Sequence, residues 1–243
     1  MIARGGHCGL SSILTVLAGF ACGGRAPEAP RESPSSGLAW VPAGEFIFGC
    51  DANEVECPAH ERPRRSMRLP AFQIAVYEVT EREYSACVAA GACVDAGPSD
   101  ESQVPIQVYT IEEARAFCAW RGLRLPTSVE WEKAARGVDG RPFPWGSKAP
   151  DCELAAHCVR RVDHVFLRAV GDVGAHPGSR SPYGLQDMAG NAPEWTECPP
   201  DTRACVGVVR SPDHMGPDGL RTYAGYVAEG ALFLTGAGFR CAT

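Results

Sequence analysis

The stretch DMAGNAPEW, Asp187 to Trp195, decides how this chain is read. It holds Asn191, one of only two asparagines in the chain, with an acid at each end and Pro193 beside the second. It lies in a run, Gly137 to Gly207, where glycine and proline recur too often for long regular elements. Two acids and several carbonyls in so short a loop could wrap a hard cation. The same residues could also close a hydrogen-bonded turn with no ion in it. The rest of the chain has to say what the loop is folded around.

Upstream of it, three segments share one grammar. Thr80-Glu81-Arg82-Glu83, Thr110-Ile111-Glu112-Glu113 and Thr127-Ser128-Val129-Glu130 are capping boxes, in which the threonine and the glutamate satisfy each other's orphan N–H groups. Gly91, Gly122 and Gly137 close the three segments as left-handed caps. Apolar residues recur at helical spacing inside them: Tyr84, Cys87 and Val88, then Ala114, Phe117 and Cys118, then Trp131, Ala134 and Ala135. The pattern predicts three helices, each with one apolar face. The stretches Trp40–Gly49 and Phe72–Val79 read as strands, and GAGFRCA, Gly236 to Ala242, as a terminal strand.

Cysteine is the loudest compositional signal, with twelve in 243 residues. Ten lie beyond Cys22, and eight of those form four close pairs: Cys50 with Cys57, Cys87 with Cys93, Cys152 with Cys158, and Cys198 with Cys205. An even number in an exported chain points to disulfides. Each local loop would contribute roughly 2–3 kcal/mol on a chain-entropy treatment. Zinc prefers shorter gaps in paired knuckles, which these spacings do not give.

Export is itself read from the N-terminus. Arg4 precedes an uncharged run from Cys8 to Ala21, too short to span a bilayer comfortably, and Gly19-Phe20-Ala21 supplies small residues for cleavage. Residues 1–21 are expected to be a signal peptide, with Cys22 a lipidation site. Residues 22–38, rich in Pro, Ser and Gly, read as a tether, and 39–243 as one domain. The net charge of −6 carries no basic stripe with interleaved aromatics, which argues against nucleic acid as a partner. Membrane contact is expected only through a lipid on Cys22.

The motifs also come in a specific order: WVPAGEFIFG, ERP, FQIAVYEVTEREY, ARAFCAWRGLRLPTSVEWEKAARG, FPWG, SPYGLQDMAGNAPEW and GFRCA. This order, from Trp40 to Thr243, resembles the sulfatase-modifying factor family, whose founding members are formylglycine-generating enzymes. The resemblance implies an α+β fold, an irregular, disulfide-stapled variant of the C-type lectin fold with little regular secondary structure. It implies a bridge between Cys118 and Cys241, the two cysteines outside the four local pairs. It also implies calcium in the opening stretch, held by the side chains of Asp187 and Glu194 and the carbonyls of Gly190 and Ala192, with Asn191 bonding the loop internally. The family's other calcium site, after PWG, needs an asparagine absent here.

The founding enzymes hold copper with two cysteines shortly after an RGGS-like segment, since soft thiolates select Cu(I). Here that segment is VVRSPDHMGPDGLRTYAGYVAEG, and no cysteine lies between Cys205 and Cys241. Ser211-Pro212 replaces the glycine pair, Met215 or Gly216 stands where the first thiol should fall, and Pro193 replaces a family tryptophan. Copper is therefore not expected. The expected function is an exported, non-catalytic member that binds a peptide, protein or glycan. The alternative is an oxidase converting a peptide cysteine to formylglycine through another metal site, for which Asp213, His214 and Met215 are the nearest ligand set; His60, His157, His164 and His176 show no ligand spacing.

Overall fold

Thr80, Thr110 and Thr127 each start a helix in the same way. The hydroxyl accepts the N–H three residues on, and the glutamate there accepts the threonine's own N–H. The helices are α1 (Glu81–Ala89), α2 (Ile111–Trp120) and α3 (Ser128–Arg136). Gly91, Gly122 and Gly137 follow them with positive φ of 72°, 70° and 69°, but at Gly137 ψ is −145°, so that helix does not end in the expected left-handed cap. At Gly137 a Cβ would stand 2.8 Å from a Pro182 ring carbon, so space as well as φ demands glycine.

The computed structural model describes residues 37–54, 57, 59–97, 102–155, 160–162, 165–167, 170–199, 205–211, 220–228 and 232–243. These belong to one compact unit, Ser33–Thr243. The expected signal peptide 1–21, Cys22, nearly all of the tether, Cys158, His157, His164 and Pro212 to Gly216 lie outside the described residues.

Strands β1 (Leu38–Val41) and β2 (Gly44–Phe48) pair antiparallel with β4 (Phe72–Ala75) and β3 (Arg65–Leu69), respectively. The two pairs keep the same alignment, from Leu38 opposite Ala75 to Phe48 opposite Arg65, but form separate two-stranded sheets. The pairing breaks at Pro42 and Pro70, which explains why Trp40–Gly49 is two strands rather than one. The other strands are β5 (Val108–Thr110), β6 (Arg160–Val162), β7 (Val165–Leu167), β8 (Glu194–Thr196), β9 (Gly207–Arg210), β10 (Gly225–Ala228) and β11 (Leu232–Phe239). A five-stranded sheet has the order β10-β9-β8-β11-β5, with β8 and β11 parallel. Beyond Ala75 the Phe72–Val79 stretch stays extended but changes partners: Val76 bonds Gly37 and Val79 bonds Phe239. The terminal stretch likewise leaves the sheet after Phe239, and Ala242 bridges Ile74 and Arg124.

One core lies between α1, α2 and this sheet. Phe117 stacks on Tyr84 at 5.8 Å and meets the Phe239 edge at 5.5 Å. The disulfide between Cys118 and Cys241 is buried in it and joins residues 123 apart. Cys50–Cys57, Cys87–Cys93 and Cys198–Cys205 are also bonded, and Cys152 is in a disulfide. A second core packs Trp131, Ala134 and Ala135 of α3 against Val41, Phe72, Ile74, Leu185 and Met188. Every residue of α3 is buried, Glu130, Glu132, Lys133 and Arg136 included. Its charges are buried because each meets a partner: Glu130 meets Arg124, Glu132 meets Arg136, and Lys133 Nζ donates to the carbonyls of Pro42 and Gly44.

Candidate functional site

The loop from Leu185 to Trp195 is buried along its whole length, which is unusual for irregular backbone. Burial obliges its polar groups to find partners. Asp187 and Asn191 both sit in the left-handed region, at φ 59° and 61°, where short polar side chains are tolerated. Asp187 Oδ2 accepts the Gly174 N–H at 2.6 Å, and Gly190 N–H donates to Ser211 Oγ at 3.0 Å. Asn191 reaches beyond its own loop: Nδ2 donates to Glu78 Oε2 at 3.1 Å, and Oδ1 accepts Gly171 N–H at 2.9 Å. The N–H of Ala192 donates to the other oxygen of Glu78 at 3.1 Å.

Glu194, expected in the calcium set, is the most heavily bonded acid of the loop. Its carboxylate forms a two-pronged pair with Arg240, Nε to Oε2 at 2.8 Å and Nη2 to Oε1 at 2.7 Å. Trp131 Nε1 also donates to Oε2, at 2.9 Å. Glu194 thus ties α3 to β8 and the C-terminal stretch. Asp187 retains its carboxylate beside the loop carbonyls. Among the described residues no three His, Cys, Asp or Glu side chains converge on a metal position.

Three buried acids, Glu78, Asp187 and Glu194, surround one arginine. Burial pushes the Glu78 carboxyl well above the usual range; Asp187 and Glu194 add to this, and Arg240 opposes it. Burial also raises Asp187, while Gly174 N–H, Arg240 and His176 oppose the shift. Burial alone would lower Arg240, but Glu194 outweighs it and the guanidinium is held more firmly charged. Burial thus favours the neutral form of Glu78 and Asp187, and Arg240 opposes it in both. Sequence reasoning missed Glu78 and Arg240. The available signal was Arg240 inside the apolar GFRCA stretch, since a cation there requires a buried partner.

The segment expected to carry copper thiols begins here. Arg210 ends β9 and Ser211 follows at φ 52°, facing Gly190. Cys50, Cys57, Cys87, Cys93, Cys118, Cys152, Cys198, Cys205 and Cys241 are all disulfide-bonded. Pro193, in place of the family tryptophan, accepts Gly238 N–H through its carbonyl at 2.7 Å, so the loop lies against β11. His176 Nδ1 lies 3.3 Å from the Glu153 carbonyl. The chemistry on display is a buried polar cluster bonded to the start of that segment, with no free thiolate among the described residues.

Few helices, short irregular sheets and several disulfides make this an α+β protein with the C-type-lectin-like fold of formylglycine-generating enzymes. The Sulfatase-modifying factor enzyme 1-like domain family matches residues 24–243, and the chain belongs to that family. It is 32% identical over 202 residues to Hercynine oxygenase of Mycolicibacterium smegmatis, covering 65% of this chain and 45% of that protein. It thus spans less than half the length of that relative. It is 40% identical over 105 residues to Inactive C-alpha-formylglycine-generating enzyme 2 of Bos taurus, covering 41% of this chain and 35% of that protein. Among solved structures, PvdO from Pseudomonas aeruginosa superposes with a TM-score of 0.64 at 21% identity, covering 84% of this chain and 93% of that one.

Proposed function

We propose that this chain is a non-catalytic binding member of the sulfatase-modifying factor family. The observation that carries the reading is the state of its sulfur. No cysteine lies between Cys205 and Cys241, and every described cysteine is in a disulfide. A disulfide sulfur is a poor copper ligand, and the family's reaction uses soft thiolates. A relative named as an inactive formylglycine-generating enzyme makes such a loss reasonable within the family. The ligand is an exported peptide, protein or glycan. Export, with a lipid on Cys22 as the membrane contact, belongs to the same reading. So does a calcium ion at the side chains of Asp187 and Glu194 and the carbonyls of Gly190 and Ala192; a calcium-dependent rise in melting temperature, lost in Asp187→Ala, tests it.

The second reading is an oxygen-dependent enzyme, favoured by the identity to hercynine oxygenases. One experiment separates the two. The full chain is incubated with Cu(I), oxygen and a cysteine-containing peptide, and the peptide is weighed by mass spectrometry. An unchanged mass is expected. A mass loss matching aldehyde formation would overturn the binding reading and direct attention to His214 and Met215.

A further inference from the structure

An open groove of about 230 Å³ runs along α1. Its apolar walls are Val88 and Ala89 of the helix, Ile106, and Ala96 of the loop that follows the helix. Tyr84 lines it too, and the Tyr84 ring stacks on Phe117 in the first core. The loop wall is tied in place. Cys93 is bridged to Cys87, the Tyr84 hydroxyl donates to the Val94 carbonyl at 3.1 Å, and Asp95 Oδ1 accepts Gly97 N–H at 3.0 Å. Val94 itself is 70% exposed, so burial contributes little to holding this loop. A groove fixed before anything enters it loses little entropy on binding.

Size and charge limit what fits. The volume lies below the roughly 300–1,000 Å³ of sites that enclose a whole small molecule, and suits one side chain of a longer ligand. Every lining residue falls between Arg82 and Arg115, a stretch with six acids and no lysine or arginine. Its net charge of −6 is as large as that of the whole chain. Asp95 lines the groove, and its Oδ2 has no partner among the described residues. Glu81 stands one turn before Ser85, another lining residue, and adds negative charge; the Arg82 beside it is already engaged. Burial raises the Tyr84 hydroxyl to about 12, and Glu113 and Asp95 add to the rise, so the acids act inside the groove. An apolar groove in a negative field selects an apolar side chain with a cation next to it. A sugar would leave hydroxyls against Val88, Ala89 and Ile106 without partners.

We propose that this groove docks a peptide segment in which an aliphatic or aromatic residue is followed by lysine or arginine, the apolar side chain against Tyr84 and Val88 and the cation on Asp95. This gives the binding reading, on which it rests, a ligand chemistry and a place. The groove shares no residue with the Asp187–Trp195 loop.

The probe is the blocked tetrapeptide Ac-Gly-Phe-Lys-Gly-NH2, titrated to about 10 mM into the isotope-labelled full chain and followed by amide NMR shifts. Shifts at Val88, Ala89, Ala96 and Gly97 that approach saturation are expected. Replacing the peptide's lysine by glutamate, or its phenylalanine by serine, should weaken binding in the wild type. Asp95→Asn keeps an acceptor for Gly97 N–H and removes the charge, so it should weaken the lysine peptide about two- to fivefold. No shift at the groove, equal binding of the glutamate or serine peptide, or unchanged affinity in Asp95→Asn would overturn the site. Matching shifts from maltose would overturn it in favour of a glycan. Shifts confined to the Asp187–Trp195 loop would overturn the groove and leave the binding reading standing. Aldehyde formation in the Cu(I) test would overturn the binding reading and leave the groove shifts as they are.

Discussion

Helices α2 and α3 begin alike and end in different surroundings. Each opens on a threonine capping box. Yet α2 buries Ile111, Ala114, Phe117 and Cys118 and leaves Glu112 and Trp120 exposed, while α3 buries all nine of its residues. The sequence around α2 explains its burial, because an apolar stripe needs only an apolar surface. Within α3 only the Glu132–Arg136 pair helps to explain its own. Its charges are buried because Arg124, Pro42, Gly44, Gly49 and Arg210 arrive from elsewhere in the chain to meet them. Local grammar thus decides that a helix forms, and distant partners decide how deeply it can sink.

The contrast predicts where the molecule breaks. The α2 side is held by the long-range bridge. Replacing Cys118 and Cys241 together by alanine frees a loop with a separation of 123 residues and should cost about 4–5 kcal/mol in denaturant unfolding. The same replacement at Cys50 and Cys57, seven apart, should cost about 2–3 kcal/mol. Equal losses would mean that the long bridge contributes packing or strain rather than chain constraint.

On the α3 side charge matters most. Arg240→Ala would leave Glu194, with Glu78 and Asp187 nearby, buried without their cation, at about 3–5 kcal/mol. Arg124, 47% exposed and paired with Glu130, should cost less than about 1 kcal/mol when replaced by alanine. Near-equal values from thermal melts would show that solvent or protonation of Glu78 compensates the buried site.

Acidity should sharpen the contrast further. Glu61 is raised from an ordinary value of 4.5 to about 7 in the folded chain. Below the ordinary range both folded and unfolded states hold the proton. Between the two values only the folded state does, so stability falls as pH rises through that window and flattens above it. The fall amounts to about 3 kcal/mol on this group alone. Comparing wild type with Glu61→Gln by urea unfolding at pH 5 and pH 8 isolates it, since the variant should lose that part of the slope. An unchanged slope in Glu61→Gln would assign the dependence to Glu78 and Asp187, which shift in the same direction.

These particulars show what the sequence could and could not reveal. The caps were legible because threonine, glutamate and glycine act within one turn. The cysteine pairs stood out by spacing, and the order of motifs pointed to the fold. Asn191 was legible as special, but its partner Glu78 lies 113 residues away and carries no periodic signature. Glu194 was legible as an acid beside loop carbonyls, but its bonds to Arg240 and Trp131, 46 and 63 residues away, carry no local signature. Residue type restricts the chemistry of a buried polar group; the choice among cation, proton and metal is made by contacts across the fold.

The smallest effect bears most directly on that division between local and distant causes. Thr110→Ala and Thr127→Ala each remove one hydroxyl that accepts a helix N–H, from Glu113 at 3.3 Å and from Glu130 at 3.2 Å. A cap of this kind contributes about 1 kcal/mol. Were burial to set the value, Thr127 would matter more, because α3 is buried throughout and its Glu130 also holds Arg124. But the cap bond lies within one turn, and Glu130 keeps both Arg124 contacts when the threonine hydroxyl is gone. The two variants should therefore lose the same stability within about 0.5 kcal/mol, and the double variant should lose their sum. A Thr127→Ala loss well above that of Thr110→Ala, or a non-additive double variant in urea unfolding, would show that the capping box of α3 is part of the buried charge network rather than a local start signal.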